Sequence, residues 1–228
     1  MEKYATRNWT TRQVGFIKYV FPNKLNLKKA KLMARKSKRI AMRFNQPETN
    51  VTYFMCEDPV QVFKILGLDY IDEMYNSTVG GLAKYWNNTI YSGNNSEMYE
   101  HEFVHIYSRK AYPNCIKVVD EGYATFLGGS GGLTLDQLKT KARIYLAAHP
   151  NIDITASALD FNSYLPEGTS LTYIFGGLVC RDIETKVGFE GIKKLYELND
   201  SNSYFNRLHS VIGVNQAGYS DYIKKLLE

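Results

Sequence analysis

The chain has 228 residues, 44% of them hydrophobic and 22% charged, with a formal net charge of +5. That length and balance describe a globular, soluble chain of one domain, or of one domain with two lobes flanking a cleft. They exclude a helical membrane protein, since no apolar run approaches the roughly 20 residues a spanning helix needs. The N-terminus likewise lacks the charged start, hydrophobic stretch and small-residue cleavage site of a leader.

Charge is unevenly placed along the chain. Residues 1–47 hold 13 Lys plus Arg against a single acid, and the remainder 15 against 22. A basic segment on an acidic body invites a nucleic-acid or anionic-membrane reading. No recognition motif accompanies it, so the expectation is a solvated helix face packing electrostatically on the acidic body, with nucleic acid an unlikely partner. The three cysteines, Cys56, Cys115 and Cys180, form no CxxC pair and allow at most one disulfide, which leaves the redox compartment open.

In chain order, Gln13–Val20 reads as a strand or short buried segment. Residues 25–44 contain no Gly or Pro and bring Leu32, Met33, Ile40 and Phe44 near helical spacing, which predicts an amphipathic helix rich in Lys and Arg. Asn50–Cys56 favours a strand. Asp58, Pro59 and Gly67 then supply an N-cap, a first-turn proline and a stop, so a helix lies between them. Asn76-Ser77-Thr78 is a glycosylation sequon, meaningful only in a eukaryotic secretory pathway. Thr89–Ser92 favours another strand, preceded by Gly80-Gly81 and the turn-like Asn87-Asn88. If residues 81–85 form an exposed sheet edge, an extended peptide can add to it as one more strand; the alternative is an ordinary internal hairpin.

The next stretch, Glu100-His101-Glu102-Phe103-Val104-His105, carries the chemistry. Ser96 is the expected N-cap of this helix, with Tyr99 at the capping-box position. On a helix, about 100° per residue brings His101 and His105 to one side, one turn apart, where both can ligate one ion. Glu102 sits beside that face, in reach of water at the ion and poorly placed to be a ligand itself. Sixteen residues after His105, Val118–Leu127 forms a second helical run in which Glu121 is the candidate third ligand. The break at Ala111–Cys115 turns the chain between the two runs, and Gly128-Gly129 stops the second. Two imidazoles and a carboxylate leave a coordination position open, the pattern of a catalytic zinc site rather than of a four-ligand structural one.

Residues 128–132, Gly-Gly-Ser-Gly-Gly, form a connector rather than a phosphate loop. Thr134–Ala148 reads as a helix ending at His149-Pro150, with His149 a favourable charge at its C-terminus; His209 is expected to be structural. Residues 170–187 form a long apolar helix in which Gly176-Gly177 mark a close approach to the metal-bearing helices. Residues 188–198 and 216–227 follow as further helices.

HEFVH followed by DEGYATF resembles the gluzincin zinc peptidases, the thermolysin-like families that carry HExxH…EGxA. The resemblance implies an α+β, zincin-like fold with a small mixed sheet in the N-terminal half and a mainly helical C-terminal half. Residues 1–47 are then a basic N-terminal segment, 48–110 a sheet lobe with the metal helix, and 111–228 a helical lobe of a single domain. It makes His101, His105 and Glu121 the ligands of one zinc ion and Glu102 the general base. Gly80–Ala83 and Asn88–Tyr91 are similar to the edge and lead-in strands of such enzymes, which puts Gly81, Leu82 and Ala83 against a peptide or protein substrate. Residues 170–177 are similar to the helix that returns towards the metal, and Tyr173 is the candidate second donor to the oxyanion, ahead of Tyr123 and Tyr107. The similarity covers residues 51–197 and implies an exported bacterial enzyme. The rival expectation is a non-catalytic zinc-containing domain of the same fold that grips peptide without cutting it.

Overall fold

The computed structural model describes residues 2–69, 79–166 and 168–228; the sequon at 76–78 lies outside them. The chain forms two compact units, residues 1–111 and residues 112–228. With a five-stranded mixed sheet in the first and helices throughout the second, the fold is α+β.

In the first unit a short helix α1 (Glu2–Ala5) precedes a hairpin of β1 (Thr10–Val14) and β2 (Ile17–Phe21). Gly15 stands at the first position of its two-residue turn with φ of 59°, a conformation that glycine adopts without a Cβ penalty. Helix α2 (Leu27–Arg43) crosses to β3 (Val51–Cys56), and α3 (Pro59–Leu66) follows. Then come β4 (Gly80–Lys84), a single 3-10 turn at Tyr85–Asn87, β5 (Thr89–Gly93) and α4 (Glu100–Ala111). The sheet order is β1-β2-β3-β5-β4, with β2, β3 and β5 parallel and both edge strands antiparallel to their neighbours.

Side-chain alternation along β3 divides the core between the two faces of the sheet. Phe54 and Cys56 join Val20, Tyr91, Val62, Phe63 and Ile65 in the layer that α3 covers. On the opposite face Tyr19 and Tyr53 lie side by side, ring centroids 5.1 Å apart, and Phe103 of α4 stacks on Tyr53 at 6.0 Å. Helix α2 covers the same face and ties to α4 through Ser37–Tyr107, 3.1 Å, and a Lys36–Glu100 ion pair. Asp58 accepts from the Gln61 N–H and Gly67 closes α3 in the left-handed conformation, as their residue types predict.

Residues 1–47 are built into the sheet unit, contributing β1, β2 and α2. Part of their charge meets acids of the same unit, Lys36 with Glu100 and Lys38 with Glu48.

The second unit is helical: α5 (Lys117–Gly128), α6 (Leu135–Ala148), α7 (Leu171–Val187), α8 (Phe189–Tyr196), α9 (Tyr204–Ile212) and α10 (Tyr219–Leu227). Thr134 and Gln137 cap α6 reciprocally, and Ser170 caps α7 by accepting from the Thr172 N–H. Helix α7 is buried along most of its length and packs tightly on α5. His149 ends α6 with its ring Nδ1 2.8 Å from the Tyr145 carbonyl. His209, in the last turn of α9, is solvent-exposed. All three cysteines are free and buried; burial pushes the Cys56 thiol up to about 12 and raises that of Cys180 still further. No helix among the described residues is long and apolar enough to cross a membrane.

Candidate metal centre

The roll of α4 about its own axis is set by the side it buries. Phe103 and Tyr107, four residues apart, point at the sheet and at α2, and at about 100° per residue the stripe holding His101 and His105 lies roughly 160° away. The two imidazoles accordingly stand together, ring centroids 4.9 Å apart and tilted 73°. His101 and Glu102 are each only 5% exposed, whereas His105 is partly open.

The approach to α4 is held as firmly as the helix. Tyr53 donates to the Ser96 carbonyl at 2.7 Å and Tyr19 to that of Glu97 at 3.1 Å. The buried Glu97 carboxylate accepts from the Asn26 N–H at the N-terminus of α2. Ser96 does not cap α4, contrary to expectation. The helix begins at Glu100, and the Ser96 hydroxyl accepts from the Met98 N–H inside the lead-in loop. The physical reason is the pair of tyrosine hydroxyls, which holds residues 96 and 97 against the sheet one turn before the helix can start.

Glu121 lies in α5, partly exposed. Its neighbours fix the helix: Asp120, 1% exposed, accepts from the Tyr196 hydroxyl at 3.3 Å, and Tyr123 donates to Glu184 at 2.8 Å. Burial first, and then the Asp120 charge, hold the Tyr196 hydroxyl well above the usual phenol range, so it remains a donor to that carboxylate. Gly122 lets α7 approach directly. A Cβ at this position would come within 2.7 Å of the Gly176 backbone.

One ligand atom from each of His101, His105 and Glu121 lies within 4.8 Å of the other two. Ligands bound tetrahedrally to zinc at about 2.1 Å stand about 3.4 Å apart, and the three residues could hold a metal ion. Two nitrogen donors and one carboxylate are the borderline-soft mixture zinc accepts. The donor set fits the metal that its sequence spacing implies.

Beside the histidines lies the edge strand β4, paired among the described residues on one side only, to β5, with Leu82 opposite Tyr91 and Ala83 opposite Ile90. Gly81, Leu82 and Ala83 are partly exposed. Gly81 has no side chain for a steric reason: a Cβ there would run into the ring of Tyr99. That ring is in turn 6.3 Å from His101, so Tyr99 joins the edge strand to the first imidazole. Past the strand, Trp86 is 69% exposed and packs edge-on against Tyr85 at 5.3 Å.

Trp86 was not singled out by sequence reasoning, and Tyr99 only as the capping-box residue of α4; two aromatics flanking a Gly-Gly strand and an HExxH string were the available signal. Among the tyrosines that were, Tyr173 occupies the first turn of α7, partly buried and edge-on to Phe161 at 5.9 Å. Tyr107 and Tyr123 are fully buried and engaged with Ser37 and Glu184, which takes both out of contention as donors to a substrate.

Set against known protein families and against curated proteins, the chain matches none. The arrangement of the residues themselves carries the functional reading.

Proposed function

We propose that the chain is a zincin-like, zinc-dependent peptidase that hydrolyses peptide bonds with Glu102 as general base. The observation that carries the proposal is the convergence of ligand atoms from His101 and His105 of α4 and from Glu121 of α5 within 4.8 Å of one another, with Glu102 next to His101 on α4.

When bound, one zinc ion supplies Lewis acidity, polarising the scissile carbonyl and lowering the pKa of water. Glu102 takes the proton from the attacking water and delivers it to the amine nitrogen as the peptide bond breaks. The hydroxyl of Tyr173 donates a hydrogen bond to the developing oxyanion. Gly81, Leu82 and Ala83 offer backbone groups to an extended substrate strand, a mode that tolerates many side-chain sequences. Exposed Trp86 next to that edge gives an aromatic face for a substrate side chain. The same reading places the protein outside the bacterial cytoplasm, on the likeness to exported gluzincins. Glu102 speaks against a domain that grips peptide without cutting it, because a binder has no use for a buried base beside two ligands.

The test is zinc analysis coupled to digestion of a diverse peptide library by the full chain, with the Glu102→Gln protein as control. One zinc per chain and cleavage that disappears in the control are expected. A wild-type chain that binds zinc and leaves every peptide intact would overturn the peptidase reading.

A further inference from the structure

The sheet has a second open edge, far along the strand order from β4. Among the described residues strand β1 pairs only with β2, and its first four residues are exposed. Because the two-residue turn makes Val14–Ile17 the closing hydrogen-bonded pair, the antiparallel alternation aims the backbone groups of Thr11 and Gln13 away from β2. Beside this edge, β1 and α2 enclose a groove of about 480 Å³.

The lining of the groove has one sign of charge. Arg12 comes from the strand and Lys31 and Arg35, one helical turn apart, from α2, while Val14, Leu27 and Ala34 supply an apolar floor and no acid contributes. Among the described residues none of these three cations is in an ion pair, whereas Lys36 and Lys38 on the same helix are each matched with a glutamate. Unneutralised cations in a groove raise the local concentration of anions, and an unpaired strand edge is a template for another strand.

We propose that this groove binds an extended acidic segment of a partner protein, which adds to β1 as a sixth strand while its carboxylates meet Arg12, Lys31 and Arg35. The backbone ladder gives the segment its direction and the three cations select its charge. An open ladder edge favours a polypeptide over a nucleic acid, which has no strand of amides to pair with it. The site is independent of the metal centre and stands or falls without it.

The experiment uses the full chain and fluorescence anisotropy. The probe is a labelled peptide alternating glutamate with valine, long enough to pair the five residues of β1. Three comparison ligands accompany it: the same peptide with glutamine for glutamate, the acidic peptide N-methylated at alternate amides, and a single-stranded oligonucleotide. The acidic peptide is expected to bind, more weakly as salt rises. Both altered peptides should bind at least about tenfold more weakly, and Arg12→Ser, Lys31→Ser and Arg35→Ser combined should reduce binding of the acidic peptide by about tenfold, the worth of three exposed ion pairs. Equal binding of the N-methylated peptide would reduce the groove to a plain charge patch and overturn strand addition. Tighter binding of the oligonucleotide would assign the groove to nucleic acid instead. No binding of the acidic peptide, or binding indifferent to the triple variant, would also overturn the proposal.

Discussion

Gly122 and Gly176 bring the backbones of α5 and α7 into direct contact, with no side chain between them. A Cβ on Gly122 would lie 2.7 Å from the Gly176 carbonyl carbon, and one on Gly176 would lie 2.9 Å from the Gly122 Cα. Glycine inside a helix costs about 1 kcal/mol relative to alanine. Here the packing requires it, because both obstructions are backbone and cannot rotate away. Gly122→Ala and Gly176→Ala should each destabilise the protein by about 1–3 kcal/mol, the usual cost of overpacking, despite their better helix propensity. Thermal unfolding checks this, with an expected fall of roughly 2–4 °C per kcal/mol for a chain of this size. An unchanged or raised midpoint in both variants would show that the helices can separate at no cost.

For the proposed chemistry, Glu102→Gln is the informative substitution. It keeps the volume and removes the base, so zinc content should match that of the unaltered chain while kcat falls by at least about 100-fold. Substrate KM should change little, since Glu102 is assigned to proton transfer rather than to binding. Zinc-loaded protein that retains full turnover would remove Glu102 from the mechanism.

The ligand assignment is tested separately by His101→Ala, His105→Ala and Glu121→Gln. Each removes one of three donors, and each should lower zinc from one ion per chain to a small fraction of that after dialysis against a weak chelator. Circular dichroism distinguishes ligand loss from misfolding: α4 is anchored by Phe103 and Tyr107 on its other face, so helical signal should persist. Stoichiometric zinc in Glu121→Gln would mean that another residue completes the site.

Tyr173 stands apart from these because its hydroxyl is assigned to the substrate. Tyr173→Phe keeps the ring on Phe161 and deletes only the oxygen. The expected outcome is an unchanged zinc content and a kcat lowered by about 100-fold, the scale of losing one oxyanion donor. An unaltered kcat would exclude Tyr173 as that donor.

Much of this arrangement is legible in the sequence, and the reason is local. The His101–His105 spacing, the Asp58-Pro59…Gly67 punctuation and the Ser170 start each depend on neighbours within a turn or two, and each appears where its chemistry places it. Gly176 was legible as a close approach because an apolar helix tolerates glycine only for a packing reason. The β1/β2 hairpin was harder, since Arg12 and Lys18 dilute its apolar signal until partners are known. Helix α9 was missed for a similar reason: a 3-10 turn at Ser201–Ser203 leads into it, and only Tyr204 and Leu208 are buried. Tyr99 and Gly81 are eighteen positions apart, and nothing in either segment announces that one ring will cover the other. The Ser96 cap failed because two distant tyrosines claim the backbone around it.

Those tyrosines also set the response to alkali. Burial raises the hydroxyls of Tyr53, Tyr196, Tyr204 and Tyr219 above their ordinary value of 10.0, and for Tyr53, Tyr196 and Tyr219 well above it. Each group is protonated in both states below pH of about 9 and contributes no pH dependence there. Above about 10 the unfolded chain releases these protons while the folded chain keeps them, so the native state binds more protons and stability falls as pH rises. The protein should therefore unfold cooperatively in the alkaline range, with the buried phenols ionising only as structure is lost. Phenolate absorbance and far-ultraviolet circular dichroism, followed together, check this: exposed tyrosines should ionise first with the helical signal intact, and the remainder in step with its collapse. Ionisation of all 18 tyrosines near the ordinary value, with the fold unchanged, would contradict the burial of these four.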